Sequence, residues 1–179
     1  MPTYDPSNAT CHIFTFKDGI LSSLAHDLKL QAEVFQIRVA AQAKGGSRWR
    51  SVHAVIDAAS LRTVCAMKNG KRSPRPLSEN DRNEIDQNIR TATLCPDKYP
   101  VIRFCSRRIA ADNGGIMITG DLTLCGVTRP LILPVRELKT STRMEIMLDQ
   151  RDFGIKPFSA LMGAMQVKPE ILIKIEIKS

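Results

Sequence analysis

The segment Ile171-Leu172-Ile173-Lys174-Ile175-Glu176-Ile177-Lys178 decides the fold class. Its isoleucines at 171, 173, 175 and 177 share one parity, while Lys174, Glu176 and Lys178 share the other and Leu172 is the exception. Successive side chains on an extended strand point to opposite faces, so this spacing predicts a strand with one buried and one solvated side.

The same alternation recurs upstream. It appears at Val52, Ala54 and Ile56, then at Ile116, Ile118, Gly120, Leu122 and Leu124. Leu131, Leu133 and Val135 repeat it, as do Met144, Ile146 and Leu148, and Ile102, Phe104 and Ser106 form a shorter example. Turn chemistry bounds these runs, for instance Asp112-Asn113-Gly114-Gly115 and Lys44-Gly45-Gly46-Ser47. Half-buried antiparallel strands are therefore expected. One run changes parity: Leu28, Leu30, Ala32 and Val34 give way to Phe35, Ile37, Val39 and Ala41. A bulge or sharp bend between Val34 and Phe35 would return both sets to one side, and two separate short strands are the alternative.

Helix signals are few. Ser78 reads as an N-cap with Asp81 three positions on, Ile85, Ile89 and Ala92 follow at helical spacing, and Pro96 lies just past the end. This predicts a helix over Ser78–Leu94. Shorter helices are expected at Ala59–Met67 and Phe158–Met165. About eight strands with one or two inserted helices leave a sandwich or a closed up-and-down barrel, and long bent strands with short connections favour the barrel.

The composition agrees. A chain of 179 residues, 43% hydrophobic and 25% charged, suits a single domain over residues 1–179. No apolar run approaches the roughly 20 residues of a membrane-spanning helix. The opening MPTYDPSNATCHIF lacks a basic stretch followed by an apolar one. A cytoplasmic protein is thus expected, or a periplasmic one if a signal had been removed. Lys and Arg exceed Asp and Glu by 26 to 18, a formal charge of +8 that attracts phosphates, nucleic acid or anionic lipid. Part of that excess lies in the exposed connection Lys68–Arg75, KNGKRSPR. The five cysteines, Cys11, Cys65, Cys95, Cys105 and Cys125, are odd in number and contain no CxxC pair. Reduced, mostly buried thiols are expected, not a disulfide framework or a structural zinc site.

Several segments, in this order, resemble the YceI-like family of lipocalin-like, polyisoprenoid-binding proteins. They are Ala25-His26-Asp27-Leu28, Val55-Ile56-Asp57-Ala58-Ala59-Ser60-Leu61, and Leu77-Ser78 through Asp81. Tyr99-Pro100-Val101-Ile102-Arg103-Phe104 and the long stretch Gly120-Asp121-Leu122-Thr123-Leu124-Cys125-Gly126-Val127-Thr128-Arg129-Pro130 follow. Asp152-Phe153-Gly154-Ile155 and the strand from Val167 to Ile177 complete the set. The resemblance implies an all-β fold, an extended eight-stranded antiparallel lipocalin-like barrel whose apolar lumen takes a long-chain amphiphile. Family members are bacterial, often dimeric, and many are periplasmic. This chain departs from them in lacking a visible signal, in Pro169 at an expected polar turn position, and in the basic segment Lys68–Arg75.

Catalytic and metal chemistry find little support. His26 beside Asp27 suggests acid–base work, but Ser22, Ser23 and Ser60 stand in no nucleophile motif and no GxSxG occurs. His12, His26 and His53 have no second ligand at metal-binding spacing, and Cys11 and His12 fall on opposite faces of a strand. Phosphate-binding GxxxxGK[ST] and GxGxxG motifs are absent. Trp49 between Arg48 and Arg50 could stack a base, yet aromatics are only 5% of the chain, so a nucleic-acid role is secondary.

The apolar residues Phe14, Phe35, Phe104, Leu122, Met144 and Phe153 fit a filled core or a tunnel wall equally well, and the resemblance favours the tunnel. Leu28, Leu124, Ile85 and Met162 join them as expected ligand-binding residues, with Met147 and Met165 as further adaptable lining. His26 and Arg129 are expected at a polar head group, although Arg129 also reads as a scaffold arginine paired with Asp152. The helix Ser78–Leu94 and the segment Phe158–Met165 are candidate lids. The expected protein binds a long-chain isoprenoid or fatty-acyl lipid without catalysis, needs no cofactor or metal, and forms a homodimer. The competing expectation is a small basic barrel with a filled core, meeting nucleic acid or a protein partner through its surface, as a stress-related interaction module would.

Overall fold

The computed structural model describes residues 1–19, 26–41, 49–112 and 115–178. Its strands are β1 (Thr3–Tyr4), β2 (Ala9–Asp18), β3 (Asp27–Ala32), β4 (Phe35–Ala41), β5 (Trp49–Asp57), β6 (Leu61–Lys68) and β7 (Lys71–Arg72), then β8 (Val101–Asp112), β9 (Gly115–Leu124), β10 (Val127–Glu137), β11 (Ser141–Asp149), β12 (Ser159–Ala160) and β13 (Met165–Lys178). Helix α1 (Glu79–Asn88) runs on into a π-helical turn, Ile89–Leu94. The expected turns at Lys44–Ser47 and at Asn113-Gly114 lie outside the described residues, as do Ser22, Ser23, Ala25 and Arg48.

Alternation in the sequence becomes burial in the sheet. Along β9, Ile116, Ile118, Gly120, Leu122 and Leu124 are buried and every residue between them is half-buried. All pairings are antiparallel, and the strands follow the order β1-β4-β5-β8-β9-β10-β11-β13-β2-β3-β6-β7, with β12 added on β13. Among the described residues the strands number 13, where about eight were expected. Three of these have two residues each, and the others include runs divided by bends.

The bends curl the sheet. Glu33 and Val34 part β3 from β4 where the parity change was read, so the run forms two strands whose apolar sets, Leu30 and Ala32, then Phe35, Ile37 and Val39, enter one core. Ser60 staples this corner. Its hydroxyl accepts from the Val34 N–H at 3.1 Å and donates to the Asp57 carbonyl at 2.7 Å. Its carbonyl accepts from the Glu33 N–H at 3.2 Å. The chain thus joins the two ends of the sheet path twice, at Glu33–Val34 and at Ala58–Ser60.

Two expected helices are corrected. Over Ala59–Met67 there is one 3-10 turn, Ala58–Ser60, capped by Asp57, and then β6. The alternating buried set Leu61, Thr63 and Cys65 outweighs the helix preference of the alanines. Over Phe158–Met165 the chain forms β12 and a 3-10 turn, Leu161–Gly163, because φ is +50° at Leu161, +55° at Met162 and +90° at Gly163. Left-handed residues end a right-handed helix.

Prolines shape two ladders. β10 pairs with β9 along Val127–Val135 but with β11 only along Val135–Glu137. Pro130 and Pro134 have no N–H to give, which suits the unpaired side of this seam. Pro169 sits where the pairing of β13 with β2 shifts between Val167 and Ile171, so its missing donor is tolerated in a bulge.

Candidate functional site

The inward side chains do not close on one another. They surround a cavity of about 660 Å³, inside the usual range for a small-molecule site. Its wall is apolar, built by the alternating residues of the long strands. Of the residues expected there, Leu28, Phe104, Leu122, Leu124 and Met144 line it, Ile85 reaches it from the helix, and His26 stands at its rim. Met165 lines it as well.

Others lie elsewhere. Phe14 is on the outer face of β2, because Cys11, Ile13, Thr15 and Lys17 hold the inward parity. Its ring meets His12 with centroids 6.5 Å apart, and the Lys174 ammonium stands 5.8 Å from it. Phe35 and Phe153 are buried in the packed core without lining the cavity. Met162 and Met147 point to solvent, at 105% and 51% exposure. Arg129 is exposed and its Nε donates to the main-chain carbonyl of Asp152 at 2.9 Å. The scaffold reading named the right partner, through its backbone oxygen and not its carboxylate. Ile13, Leu131, Leu133, Ile173 and Ile175 also line the wall. The period-2 pattern had marked most of them, and choosing by aromatic or thioether type passed them over.

Polar groups gather at one end of the cavity. Lys17 near the end of β2, His26 just before β3, and Gln166 at the start of β13 line that end, and the registers Asp18↔Gln166 and Thr15↔Leu28 place them together. Asp81, Glu84 and Asn88 of α1 reach the same cavity. Ser78 and Asp81 form the expected capping box, Ser78 N–H to carboxylate at 3.0 Å and Asp81 N–H to hydroxyl at 3.1 Å. The Ser78 hydrogen bonds hold the Asp81 carboxyl below the usual carboxylate range, and the neighbouring His26 adds to that effect.

Helix α1 contributes no fully buried residue. It is held instead by side-chain latches: Asp86 to Thr63, and Arg90 Nη2 to the Ala59 carbonyl at 3.0 Å. A helix so fixed covers the cavity without being part of the core.

The reactive candidates are engaged in structure. Asp27 Oδ1 accepts from the Lys17 N–H at 2.9 Å, a contact that ties β3 to β2. Ser60 is buried in its corner, with its hydroxyl committed to backbone. Trp49 is 7% exposed within the core, which leaves its ring little surface on which to stack a base. Cys11 lines the cavity wall while His12 faces outward, as the strand parity required. Burial pushes the Cys11 thiol up to about 12. No helix is long and apolar enough to cross a membrane among the described residues.

Comparison with known proteins gives a consistent picture. A family profile described as the YceI-like domain matches residues 4–179. Protein YceI of Escherichia coli O6:H1 is 28% identical over 109 residues, which are 55% of this chain and 56% of that protein. The chain spans little more than half the length of such curated relatives. Among solved structures, Burkholderia cenocepacia BcnA superposes with a TM-score of 0.68 at 14% identity, covering 96% of both chains. A polyisoprenoid binding domain from Saccharophagus degradans does so with a TM-score of 0.56 at 10% identity, covering 99% of this chain and 98% of its own. At these identities the structural likeness speaks for the fold.

Proposed function

The chain belongs to the YceI-like domain family, and on that premise we propose that it binds one long-chain amphiphilic lipid, an isoprenoid or fatty-acyl compound, and catalyses no reaction. One observation carries this reading: a cavity of about 660 Å³ with an apolar wall, at one end of which Lys17 and His26 stand together with Asp81 beside His26. That division matches a molecule with a tail and a head. Each methylene taken from water into such a wall contributes about 0.8 kcal/mol, so a long tail needs no specific polar anchor. In this reading Lys17, His26, Asp81 and Glu84, which line the cavity, meet the head group. The polyisoprenoid-binding neighbour supports the same class of ligand.

The fold supports it in a further respect. In this reading β3–β4 and β5–β6 each count as one bent strand, and with two-residue β1, β7 and β12 set aside the long strands would number the eight of a closed barrel. Family membership also carries the expectation of a homodimer, which sedimentation equilibrium would check.

Native mass spectrometry of freshly purified protein, followed by solvent extraction, tests the proposal. A stoichiometric added mass, identified as a long-chain lipid and absent from Phe104→Asp, is the expected result. Because an aspartate there could unfold the chain, Leu133→Gln on the half-buried part of the wall serves as a second variant. Folded variants that keep the full lipid load would overturn the assignment, as would a bare wild-type mass that stays bare after incubation with isoprenyl and acyl lipids.

A further inference from the structure

The segment that follows β11 carries exposed apolar side chains beside the open end of the cavity. Leu161 is 61% exposed, Met162 105% and Phe158 37%, and Phe158 also lines the cavity. Leu161 and Met162 both hold left-handed backbone conformations, at φ +50° and +55°. Non-glycine residues in that region are strained, and such strain persists only where surrounding structure imposes it. The structure does impose it. Ser159 and Ala160 pair with Gln166 and Met165, the Val167 N–H donates to the Phe158 carbonyl at 3.0 Å, and the Ala164 N–H donates to that of Leu161 at 3.1 Å. Gly19 fits because a Cβ there would stand 2.6 Å from the Ala164 carbonyl oxygen. The lip is a formed element that presents its apolar side chains to water.

The sheet register puts a second feature on the same rim. Gln166 faces Asp18, Lys17 donates its N–H to Asp27, Asp27 faces Met67, and Lys68 faces Lys71. The lip on β12–β13 and the β6–β7 hairpin therefore stand at the same end of neighbouring strands, about 24 Å apart along the sheet at the usual strand spacing. That hairpin and its continuation expose Lys68, Lys71, Arg72 and Arg75, with no acidic residue among positions 68–75. Of the acids on this rim, Asp27 is half-buried and accepts from a backbone N–H, Asp81 is exposed and accepts from another, and Asp18, Glu79 and Glu84 are exposed.

We propose that this end of the molecule docks on an anionic membrane surface, with Leu161 and Met162 among the lipids and the β6–β7 hairpin on the head groups. Exposed apolar side chains and a basic strip on one rim are what an interfacial site requires. A nucleic acid would use the cations and leave Leu161 and Met162 in water. The proposal rests on the lipid-binding reading above, since a cavity that opens where the protein meets a bilayer can take its ligand without exposing the tail to water.

Flotation with vesicles tests it, using phosphatidylcholine alone and phosphatidylcholine mixed with phosphatidylglycerol. The wild-type protein should float with the mixed vesicles only. Near an anionic surface each cation strengthens binding by roughly fivefold, so Lys68→Gln/Lys71→Gln/Arg72→Gln should weaken it by roughly a hundredfold. Leu161→Ser/Met162→Ser should lose roughly tenfold or more, and the binding that remains should be released entirely by salt. These side chains are exposed, and circular dichroism would verify that the variants fold. Absence of binding to both vesicles, or variants that float like wild type, would overturn the proposal. So would a cation variant that loses affinity for single-stranded RNA while keeping its affinity for vesicles. Solvent extraction of the same preparations separates the two readings. Lipid in the cavity without flotation removes the docking site alone, and flotation of a protein that takes up no lipid removes the cavity ligand alone.

Discussion

The Asp86 carboxylate on α1 accepts both donors of Thr63 on β6, the backbone N–H at 2.8 Å and the hydroxyl at 2.6 Å. The two residues meet because the β3–β6 ladder slips at this point. Cys65 faces Lys29 but Thr63 faces Leu30, which leaves Val64 as an extra residue. Thr63 is buried, and a buried N–H without an acceptor is costly, so the helix supplies what the sheet does not. The helix thereby gains a fixed seat although it has no buried residue of its own.

Removing this latch should loosen the cover. Asp86→Ala is expected to cost about 2–3 kcal/mol, since it leaves a buried amide and a hydroxyl without a charged acceptor. Amides of α1 should exchange with deuterium faster while those of β9 stay protected. Asp86→Asn keeps one acceptor oxygen and should fall between the two. Unchanged exchange along α1 in Asp86→Ala would show that something else seats the helix.

A second expectation concerns Gly120, where the backbone of β9 runs under an aromatic ring. A Cβ at that position would stand 2.5 Å from the Cys105 carbonyl oxygen and 2.5 Å from Phe104 Cζ. The ring could turn, but the carbonyl belongs to the ladder between β8 and β9. Gly120→Ala should therefore cost about 1–3 kcal/mol, read as a lowered Tm. Adding Phe104→Leu relieves only the ring contact and should restore part of the loss. Full restoration would place the whole clash on the ring, and no loss in the single variant would mean the strand shifts freely.

Period-2 alternation carried the strands, and Ser78 with Asp81 carried the helix start, because both depend on neighbours in sequence. What failed depended on neighbours in space. Ala59–Met67 contains residues that suit either state, and pairing of β6 with β3 decided it. The strand count was blurred by bends that Ser60 holds from another part of the chain. At the site, Phe104, Leu122 and Met144 were legible since parity set their direction, whereas Phe14 was chosen for its ring against the parity of Cys11 and Ile13. Phe35 and Phe153, expected at the ligand, are buried in the packed core and do not line the cavity. Whether an inward residue fills the core or lines a void depends on the curvature of the sheet, which no local pattern encodes.

The parity that excludes Phe14 directs Cys11 to the cavity wall, where it is 2% exposed and its thiol is pushed up to about 12 by burial, from an ordinary value near 9.0. Between those two values the unfolded chain gives up this proton and the folded chain keeps it. The folded state binds more protons over that interval, so stability must fall as pH rises through it. Urea unfolding at a series of alkaline pH values should show the decline beginning near 9, and Cys11→Val should flatten part of it while leaving the stability at neutral pH little changed. The measured quantity is the difference between the two proteins, in which every contribution common to both cancels. A thiol reagent supplies an independent reading at neutral pH: Cys11 should stay unlabelled in the native protein and react on unfolding. Rapid native labelling of Cys11, or identical alkaline profiles for the two proteins, would contradict its burial in the wall.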